Sequence, residues 1–447
     1  MKILQVVHGF PPRDLLGSER YTYNLSKELS KHHEVFVFYP VNEPNRKNYS
    51  INKNKSDGLQ TIEINNPGKQ PNYFRIIYAL FNIKSLYVNK KVEEKFSHLL
   101  QTIKPDVVHF QHLTYLSTSL VALCKEKDIP IVLTLHDFWF ICPQTQLLRY
   151  NEELCDGTDD CFTECVKCFI YQIKYFAQLR IQKFGTIGSN IFIPIWFVLE
   201  RFFKIYYRNS FLKRNRFLKD TLNKVDLLIA PSNFLRDKFI EYGVPMQKII
   251  LSNYGMTVKL FDDFARKDSR CIRFGFVGGI APHKGLHILI EAFNKIHNNN
   301  VELRIYGFST PIFLNYYELT KSQCRNPNIK FVGKYEDAKI PFSEIDVLVF
   351  PSLWYENCPL ALQEAFITKT PVIGSKVGAI PEFVEDYKTG LLFERNNPDD
   401  LYKKMKLIID NPQIIEQLRK NIKPVKTIEE QGTKLEKIYK NLSRERI

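Results

Sequence analysis

The sequence predicts an α/β protein with two doubly wound parallel sheets, each in a domain of its own. Two observations carry this prediction. Short apolar runs alternate with longer segments of helical spacing, which is typical of parallel sheets covered by helices. The alternation stops in a polar, charged run near 259–269 and starts again at Ile272–Val277. A chain of 447 residues is long enough for two such domains.

The first domain is predicted over residues 1–256. Its strands are expected at 3–7, Val35–Tyr39, Leu59–Ile64, Val107–Gln111 and Ile131–His136, and its helices at Ser18–Ser30, near 73–103 and near 115–127. Gly17 ends the loop after the first strand, where a glycine lets backbone N–H groups approach a phosphate. His136 stands at the carboxyl end of a strand, which is where open α/β sheets bind ligands.

The composition indicates a globular protein with an anionic partner. Hydrophobic residues make up 44% of the chain and charged residues 25%, and the net charge is +15. We recognise no nucleic-acid-binding module, so nucleic acid is not an expected partner. Residues 1–9 do not resemble a signal peptide, and no stretch reaches the length of a membrane span. A cytoplasmic location is therefore expected.

A cysteine-rich loop is predicted at 142–168. Four thiols, Cys155, Cys161, Cys165 and Cys168, lie close together in the sequence. Such a group predicts a structural zinc site with four sulfur ligands, although only the last pair has the spacing of a zinc knuckle. The alternative is a set of free thiols in a reducing compartment.

Residues 172–219 have the composition of an insert that lies on a membrane surface. They contain ten Lys and Arg residues against one acid, Glu200, and twelve aromatic residues. The aromatic residues include Trp196, Phe197, Phe202, Phe203, Tyr206 and Tyr207. Basic and aromatic residues in this mixture favour an anionic membrane surface. The alternative is a set of amphipathic helices whose basic faces are solvated.

The second domain, 257–424, starts with a strand followed by GGIAPHKGLHILIEAF. Gly278 and Gly279 form a tight turn here, and Lys284 stands near a helix start. A lysine is unfavourable in the positive field of a helix N-terminus. We therefore expect Lys284 to bind an anion such as a diphosphate, although a solvated lysine is the alternative.

The stretch 346–382 holds the other candidate residues. Val347–Phe350 is an apolar run typical of a buried parallel strand, and a helix is predicted to open at Asn357 and Pro359. Two acids, Glu356 and Glu364, have seven residues between them. Free N–H groups at the helix start would bind a phosphate. The predicted donor-binding positions there are Asn357, Cys358, Pro359 and Leu360.

The same stretch, PSLWYEN with Glu364 and then PVIGSKVGAIPE, resembles the family-four (group 1) retaining glycosyltransferases. LHDFWFICP around His136 is similar to their acceptor-side segment, and the resemblance covers nearly the whole chain. It implies the GT-B fold: two Rossmann-like domains facing across a cleft, and a C-terminal helix, 425–447, that crosses back to the first domain. The chain departs from the family at two positions. Ser18 stands where the family has a second loop glycine, and Gly279 stands where the family commonly has a basic residue ahead of the lysine that matches Lys284.

The resemblance also implies the reaction and the site roles. A nucleotide-diphosphate sugar would be the donor, with Glu364 on the ribose, Glu356 on the sugar and Lys284 on the diphosphate. His136 would hold the sugar, and no cofactor would be required for catalysis. Gly17 and Gly278 would contact the donor. The expected acceptor is a glycan or polyprenyl-linked glycan, reached from the cytoplasmic face of the membrane.

Two other functions stay open. One is a non-catalytic, membrane-associated binding protein on the same fold, which the presence of Glu356, Glu364 and Lys284 disfavours. The other is a sugar-nucleotide epimerase or a phosphorylase, although the lysine motif that would bind the phosphorylase cofactor is not evident.

Overall fold

The computed structural model describes residues 1–14, 17–69, 78, 81–157, 162–171 and 189–444. It divides the chain into two compact units. The first unit contains Met1–Pro231, Leu235–Ser252 and Glu429–Ile447, and the second contains Ser232–Phe234 and Asn253–Ile428. Each unit is built on one mainly parallel sheet, which confirms the predicted α/β class with two Rossmann-like domains.

The first unit contains an eight-stranded sheet with the strand order β3-β4-β2-β1-β5-β6-β7-β8. Its strands are β1 (Lys2–Val6), β2 (Glu34–Val41), β3 (Ile51–Ser56), β4 (Leu59–Asn65), β5 (Val107–Phe110), β6 (Ile131–Thr134), β7 (Leu227–Ala230) and β8 (Ile249–Leu251). Neighbouring strands are parallel except for β3 and β4. Apolar side chains on both faces bury the central strands, as the apolar runs predicted.

The edge strand β3 was not predicted. Its sequence, INKNKS, is polar, because an edge strand has only one neighbour and a largely solvated surface. A two-residue hairpin joins β3 to β4 through Asp57 and Gly58, whose φ angles of 53° and 79° are both left-handed. Asp-Gly is the usual sequence for such a turn, so the hairpin could have been predicted from this dipeptide.

Helices cover the sheet of the first unit: α1 (Gly17–Leu29), α2 (Lys90–Ile103), α3 (Leu120–Glu126), α4 (Ser189–Lys224) and α5 (Asn233–Glu241). The caps explain where some of them begin. The side chain of Asn89, for example, accepts hydrogen bonds from the N–H groups of Lys91 and Val92 at the start of α2. Buried apolar residues at helical spacing then hold α2 against the strands.

The predicted insert is described only in part. Residues 172–188 lie outside the described residues, as do the side chains of Trp196, Phe197, Phe202 and Phe203. Further along α4, Tyr207 and Phe211 are buried. Tyr207 is therefore a core residue, and its assignment to a membrane surface was wrong, because it faces the packed side of the helix. Among the described residues, no helix is both long and apolar enough to span a membrane.

The second unit contains a six-stranded, entirely parallel sheet with the order β11-β10-β9-β12-β13-β14. Its strands are β9 (Ile272–Val277), β10 (Val301–Tyr306), β11 (Ile329–Gly333), β12 (Val347–Phe350), β13 (Val372–Ser375) and β14 (Gly390–Phe393). Its helices are α6 (Leu286–Phe293), α7 (Leu314–Ser322), α8 (Lys339–Ser343), α9 (Leu360–Ile367), α10 (Ile380–Phe383), α11 (Pro398–Asp410) and α12 (Gln413–Asn421).

The C-terminal helix, α13 (Ile428–Arg444), packs on the first unit. The hydroxyl oxygen of Tyr439 lies 2.6 Å from Nδ1 of His109, a buried residue of β5. Gln431 donates to the hydroxyl of Tyr21 in α1 at 3.0 Å. These contacts confirm the prediction that the last helix returns to the first domain.

Candidate active site

The candidate donor site lies at the carboxyl edge of the second sheet. Strands β9 and β12 are parallel neighbours, so the loops that follow them leave the sheet at the same edge. The first loop contains Gly278 and Lys284, and the second contains Glu356. Residues that are 72 positions apart in the sequence are thereby brought into contact.

Lys284 and Glu356 form a direct ion pair. The Nζ atom of Lys284 lies 2.7 Å from Oε1 of Glu356, and the side chains are 25% and 7% exposed. The ammonium group also lies 4.9 Å from the centre of the Trp354 ring, a favourable position for a cation. An ammonium group has three N–H donors. Within the described part of the chain, this one donates a hydrogen bond only to Glu356.

Glu356 is held by two further donors. The same oxygen, Oε1, accepts hydrogen bonds from Ser352 Oγ at 2.9 Å and from Trp354 Nε1 at 2.7 Å. Burial by itself raises the pKa of Glu356, but the charge of Lys284 and the three hydrogen bonds outweigh it and lower the pKa. The carboxylate is therefore ionised at neutral pH. All three bonds reach Oε1, so Oε2 takes no hydrogen bond from the described residues.

Two glycines let the backbone approach closely enough to build this site. Gly285 follows Lys284 with φ at 69°, and a Cβ atom there would lie 1.9 Å from the carbonyl oxygen of Pro351. Gly378 has φ at 58°, and its Cβ would lie 2.6 Å from the carbonyl oxygen of Glu356. A side chain at Gly285 would push away the loop after β12, and one at Gly378 would push the loop after β13 away from Glu356. The glycines thus fix the backbone on both sides of the ion pair.

Helix α9 begins later than predicted. Pro359 is the cap residue with an extended backbone (φ −70°, ψ 120°), and the first helical residue is Leu360. Asn357 and Cys358 therefore precede the helix, and Pro359 has no N–H group to offer. No side chain caps the helix, so the free N–H groups of its first turn begin at Leu360. Burial raises the pKa of the Cys358 thiol to about 12, which keeps it protonated.

Glu364 and Gly278 occupy different surroundings. Glu364 lies in the middle of α9 and is 4% exposed. Gly278 directly follows β9, and its N–H donates to the carbonyl oxygen of Tyr306 at 3.1 Å. That N–H group is already used by the sheet, so a phosphate contact at Gly278 would need another backbone group.

The other predicted residues lie in the first unit. His136 follows β6, and its Nε2 atom lies 2.9 Å from Oε1 of Gln111. Gln111 in turn donates through Nε2 to Gln5 at 2.9 Å, which identifies its Oε1 as an acceptor and places a proton on Nε2 of His136. Burial and the nearby His112 lower the pKa of His136 to about 3, so the imidazole is neutral. Gly17 is exposed and is the first residue of α1.

A second group of polar residues lies at the same edge of the first sheet and was not predicted. Nε2 of His8 lies 2.9 Å from Oε1 of Glu19, and Nε2 of His112 lies 3.2 Å from Oδ2 of Asp137. The rings of His8 and His112 are 4.4 Å apart between centroids. This group could have been predicted from the sequence, because His8, His112 and Asp137 each come at or just after the end of a predicted strand, as His136 does.

The predicted zinc ligands are only partly described. Cys161 lies outside the described residues, while Cys155, Cys165 and Cys168 are partly exposed and form no disulfide with another described cysteine. Burial raises the pKa of Cys168, which favours its neutral form. Within the described ranges, no group of three or more His, Cys, Asp or Glu residues could hold a metal ion. The zinc site stays a prediction that elemental analysis can test.

Sequence comparison identifies two family models, one on each unit. Residues 16–157 match the model described as Glycosyltransferase Family 4, and residues 261–425 match the model described as Glycosyl transferases group 1. The second match contains Lys284, Glu356 and Glu364, and the first contains Gly17 and His136.

Curated relatives agree with these models. An uncharacterized glycosyltransferase of Methanocaldococcus jannaschii is 27% identical over 249 residues, which are 53% of this chain and 66% of the relative. A putative colanic acid biosynthesis glycosyltransferase of Escherichia coli K12 is 26% identical over 193 residues, 40% of this chain and 47% of the relative. The chain thus matches less than two thirds of the length of either relative.

Solved structures match over nearly the full length. HepE of Anabaena in complex with UDP and glucose has a TM-score of 0.61 at 14% identity, covering 99% of this chain and 98% of that one. Sucrose-phosphate synthase of Thermosynechococcus elongatus has a TM-score of 0.68 at 18% identity, with the same coverage. These likenesses establish the GT-B fold. With this fold and both family models on one chain, the protein belongs to the family-four, group 1 glycosyltransferases.

Proposed function

We propose that this chain is a retaining glycosyltransferase. It moves a hexosyl group from a nucleotide-diphosphate sugar to a glycan or lipid-linked glycan in the synthesis of a surface polysaccharide or glycolipid. The observation that carries the proposal is the Lys284–Glu356 ion pair, built at the carboxyl edge of β9 and β12. This is the edge at which parallel sheets bind nucleotides.

The chemical task is to stabilise the negative charge that develops on the departing diphosphate. Lys284 uses one N–H on Glu356 and keeps two for phosphate oxygens. The free N–H groups at the start of α9 add a second set of donors. The lysine and these N–H groups are in position before the donor binds. They therefore stabilise the leaving diphosphate without any rearrangement of the protein. This chemistry requires no metal ion in our proposal.

The remaining residues orient the donor. Oε2 of Glu356 accepts a hydrogen bond from a sugar hydroxyl, and Glu364 binds the ribose. Neutral His136, whose ring is oriented by Gln111, contacts the transferred sugar. HepE, one of the similar structures, is bound to UDP and glucose, which supports a uridine nucleotide as the first donor to test.

We further propose that the protein works at the cytoplasmic face of a membrane. Helix α4 carries six exposed basic residues around its buried Tyr207 and Phe211; these are Lys204, Arg208, Lys213, Arg216, Lys219 and Lys224. Such a helix is attracted to anionic lipid by about 1 kcal/mol for each basic residue near the surface. A lipid-linked acceptor would then be within reach.

A screen of sugar nucleotides tests the catalytic proposal. Thermal stability and donor turnover are measured with UDP-, GDP- and ADP-sugars, with and without oligosaccharide acceptors. We expect one nucleotide class to raise Tm and to be consumed faster when acceptor is present. The anomeric configuration of the product, read by NMR, tests retention. Absence of both binding and turnover across the panel would overturn the proposal.

A further inference from the structure

A pocket of about 380 Å³ lies at the amino edge of the second sheet. Two of its lining residues come just where strands begin: Arg273 is the second residue of β9, and Asp346 directly precedes β12. The carboxyl ends of the same two strands lead to Lys284 and Glu356, so this pocket is at the opposite edge from the proposed donor site. Pockets for small molecules have volumes from about 300 Å³ upward, so it can hold a small ligand.

Basic side chains outnumber acidic ones in the lining of this pocket. The lining contains four basic and two acidic residues: Arg266, Lys267, Arg273 and Arg419, and Asp268 and Asp346. Three of the basic residues also have an acid partner: Lys267 pairs with Glu344, Arg273 with Asp346 and Arg419 with Glu416. The remaining cation, Arg266, comes from the polar run near 259–269, which the proposed function does not use.

Arg266 is bound only by uncharged groups. Its Nη1 atom donates to the carbonyl oxygens of Phe342 and Ile345. Its Nη2 atom donates to the carbonyl oxygen of Thr368 at 3.0 Å and to Oγ1 of Thr370 at 2.8 Å. In the described part of the chain, no carboxylate accepts a hydrogen bond from this guanidinium group. A largely buried charge without an ionic partner favours an anion beside it.

Each of the three arginines keeps one nitrogen for a ligand. On Arg266 it is Nε, because both terminal nitrogens are used. Arg273 uses Nε and Nη2 on Asp346, at 3.0 and 2.8 Å, which leaves Nη1. Arg419 uses Nε on the carbonyl oxygen of Lys369 at 3.1 Å and Nη1 on its acid partner, which leaves Nη2. None of these three nitrogens belongs to the sealed polar atoms that lack a partner among the described residues, so each one reaches solvent.

The positive charges in the pocket repel one another. Burial and the neighbouring Arg419 and Arg273 lower the pKa of Arg266 to about 10, although Asp346 and Glu416 oppose this. The guanidinium group is still charged at neutral pH. A bound anion would offset both the burial of this charge and the repulsion between the arginines.

We propose that this pocket binds a phosphate group, either as the free ion or as part of a small phosphorylated compound. The unused nitrogens of Arg266, Arg273 and Arg419 donate hydrogen bonds to the phosphate oxygens, which guanidinium groups suit in charge and geometry. The Thr368 carbonyl that Arg266 binds is at the end of α9, whereas the free N–H groups proposed for the donor are at its start. The two anion sites therefore lie at opposite ends of one helix, and this site does not depend on the proposed glycosyl transfer.

Three variants separate this pocket from the donor site. Arg419→Gln removes one of the three guanidinium groups, and its side chain is 23% exposed, so the fold should tolerate the change. Arg325→Gln removes an exposed arginine of the same unit and is the control. Lys284→Met removes the cation of the donor site. Isothermal titration at constant ionic strength measures the binding of inorganic phosphate, glucose 1-phosphate and glucose 6-phosphate to each protein.

We expect the Kd of the best ligand to rise by about tenfold in Arg419→Gln, the effect of one charged hydrogen bond. It should stay within about twofold in Arg325→Gln and Lys284→Met. Equal affinity for the three ligands would identify the free ion as sufficient, and tighter binding of a glucose phosphate would identify a phosphorylated compound. Binding that is lost in Lys284→Met but kept in Arg419→Gln would place the phosphate in the donor site and overturn the proposal, as would no binding at all.

A crystallographic measurement locates the anion directly. Tungstate has the tetrahedral shape and the charge of phosphate, and its metal gives a strong anomalous signal. In wild-type crystals soaked with tungstate, we expect an anomalous peak within hydrogen-bonding reach of Arg266, Arg273 and Arg419. A peak only beside Lys284, or no peak in the second unit, would contradict the proposal.

Discussion

The ammonium group of Lys284 lies 2.7 Å from the carboxylate of Glu356, although the two residues come from different loops of the second sheet. Neither side chain can change without altering the charge balance of the other. The carboxylate is buried and its lowered pKa depends on the lysine, while the lysine retains N–H groups for an anion. This pair is the centre of the proposed donor site.

Glu356→Gln should lower kcat for transfer by about tenfold to hundredfold. The substitution removes a charged hydrogen bond to the sugar, and such bonds contribute about 1.5–3 kcal/mol. Initial rates with the best sugar nucleotide measure this loss. Glu336→Gln, an exposed acid of the same unit, is the control. Wild-type kinetics in Glu356→Gln would remove Glu356 from the site, provided that Tm shows a folded protein.

Glu364→Gln should act mainly on donor binding. Glu364 lies further along α9 than the N–H groups proposed to bind the phosphates, and we place it on the ribose. We expect the Kd for the nucleotide diphosphate to rise by about tenfold, with a smaller change in kcat. Isothermal titration with UDP and the corresponding nucleotides measures this. A variant with normal nucleotide affinity but low kcat would reverse the assigned roles of the two acids.

Lys284→Met should reduce the transfer rate by more than it reduces donor affinity. The negative charge on the diphosphate grows in the transition state, so the lost cation matters more there than in the ground state. The activity of the wild type should survive chelation by EDTA, because the lysine and backbone N–H groups stabilise that charge. A strict requirement for magnesium or manganese would contradict this account.

Acid should destabilise the fold before the carboxylates titrate. Burial lowers the pKa of His109, His136 and His283 to about 3, whereas an unfolded histidine has a pKa near 6.5. Below pH 6.5 the unfolded state therefore binds more protons than the folded state. Each histidine then reduces the free energy of unfolding by about 1.4 kcal/mol per pH unit down to the folded pKa.

Denaturant titrations between pH 7 and pH 5 measure this slope, because ordinary carboxylates titrate lower. His136→Gln should reduce the slope by up to about 1.4 kcal/mol per pH unit, since it removes one of these contributions. A free energy of unfolding that is unchanged from pH 7 to pH 5 would mean that these histidines are not buried as neutral rings.

Binding to anionic vesicles should require the insert and weaken with salt. Replacing Lys204, Arg208, Lys213 and Arg216 by Ser should abolish co-sedimentation, and replacing Trp196, Phe197, Phe202 and Phe203 by Ser should weaken it. Replacing Lys90 and Lys95, exposed on α2, is the control. A wild type that stays in the supernatant at low salt would favour a water-soluble acceptor.

Local sequence patterns predicted the strands well because buried parallel strands require continuous apolar runs. Val347–Phe350 and Ile272–Val277, for example, have the predicted bounds. The start of α9 was placed too early, since Pro359 remains extended. Lys284 and Glu356 were identified singly, but their ion pair was not, because it depends on the adjacency of β9 and β12. The His8–Glu19 pair was missed for the same reason.

The ring of His109 meets the hydroxyl of Tyr439 across 330 positions of sequence. The second unit ends at Ile428, whereas the first unit includes Glu429–Ile447. During synthesis, therefore, the ribosome completes the second unit while the first still lacks its final helix. Domains generally fold as units while the chain emerges. The first unit can therefore complete its core only after the second unit has been made, and a chain that stopped after residue 428 would leave His109 without the hydroxyl of Tyr439.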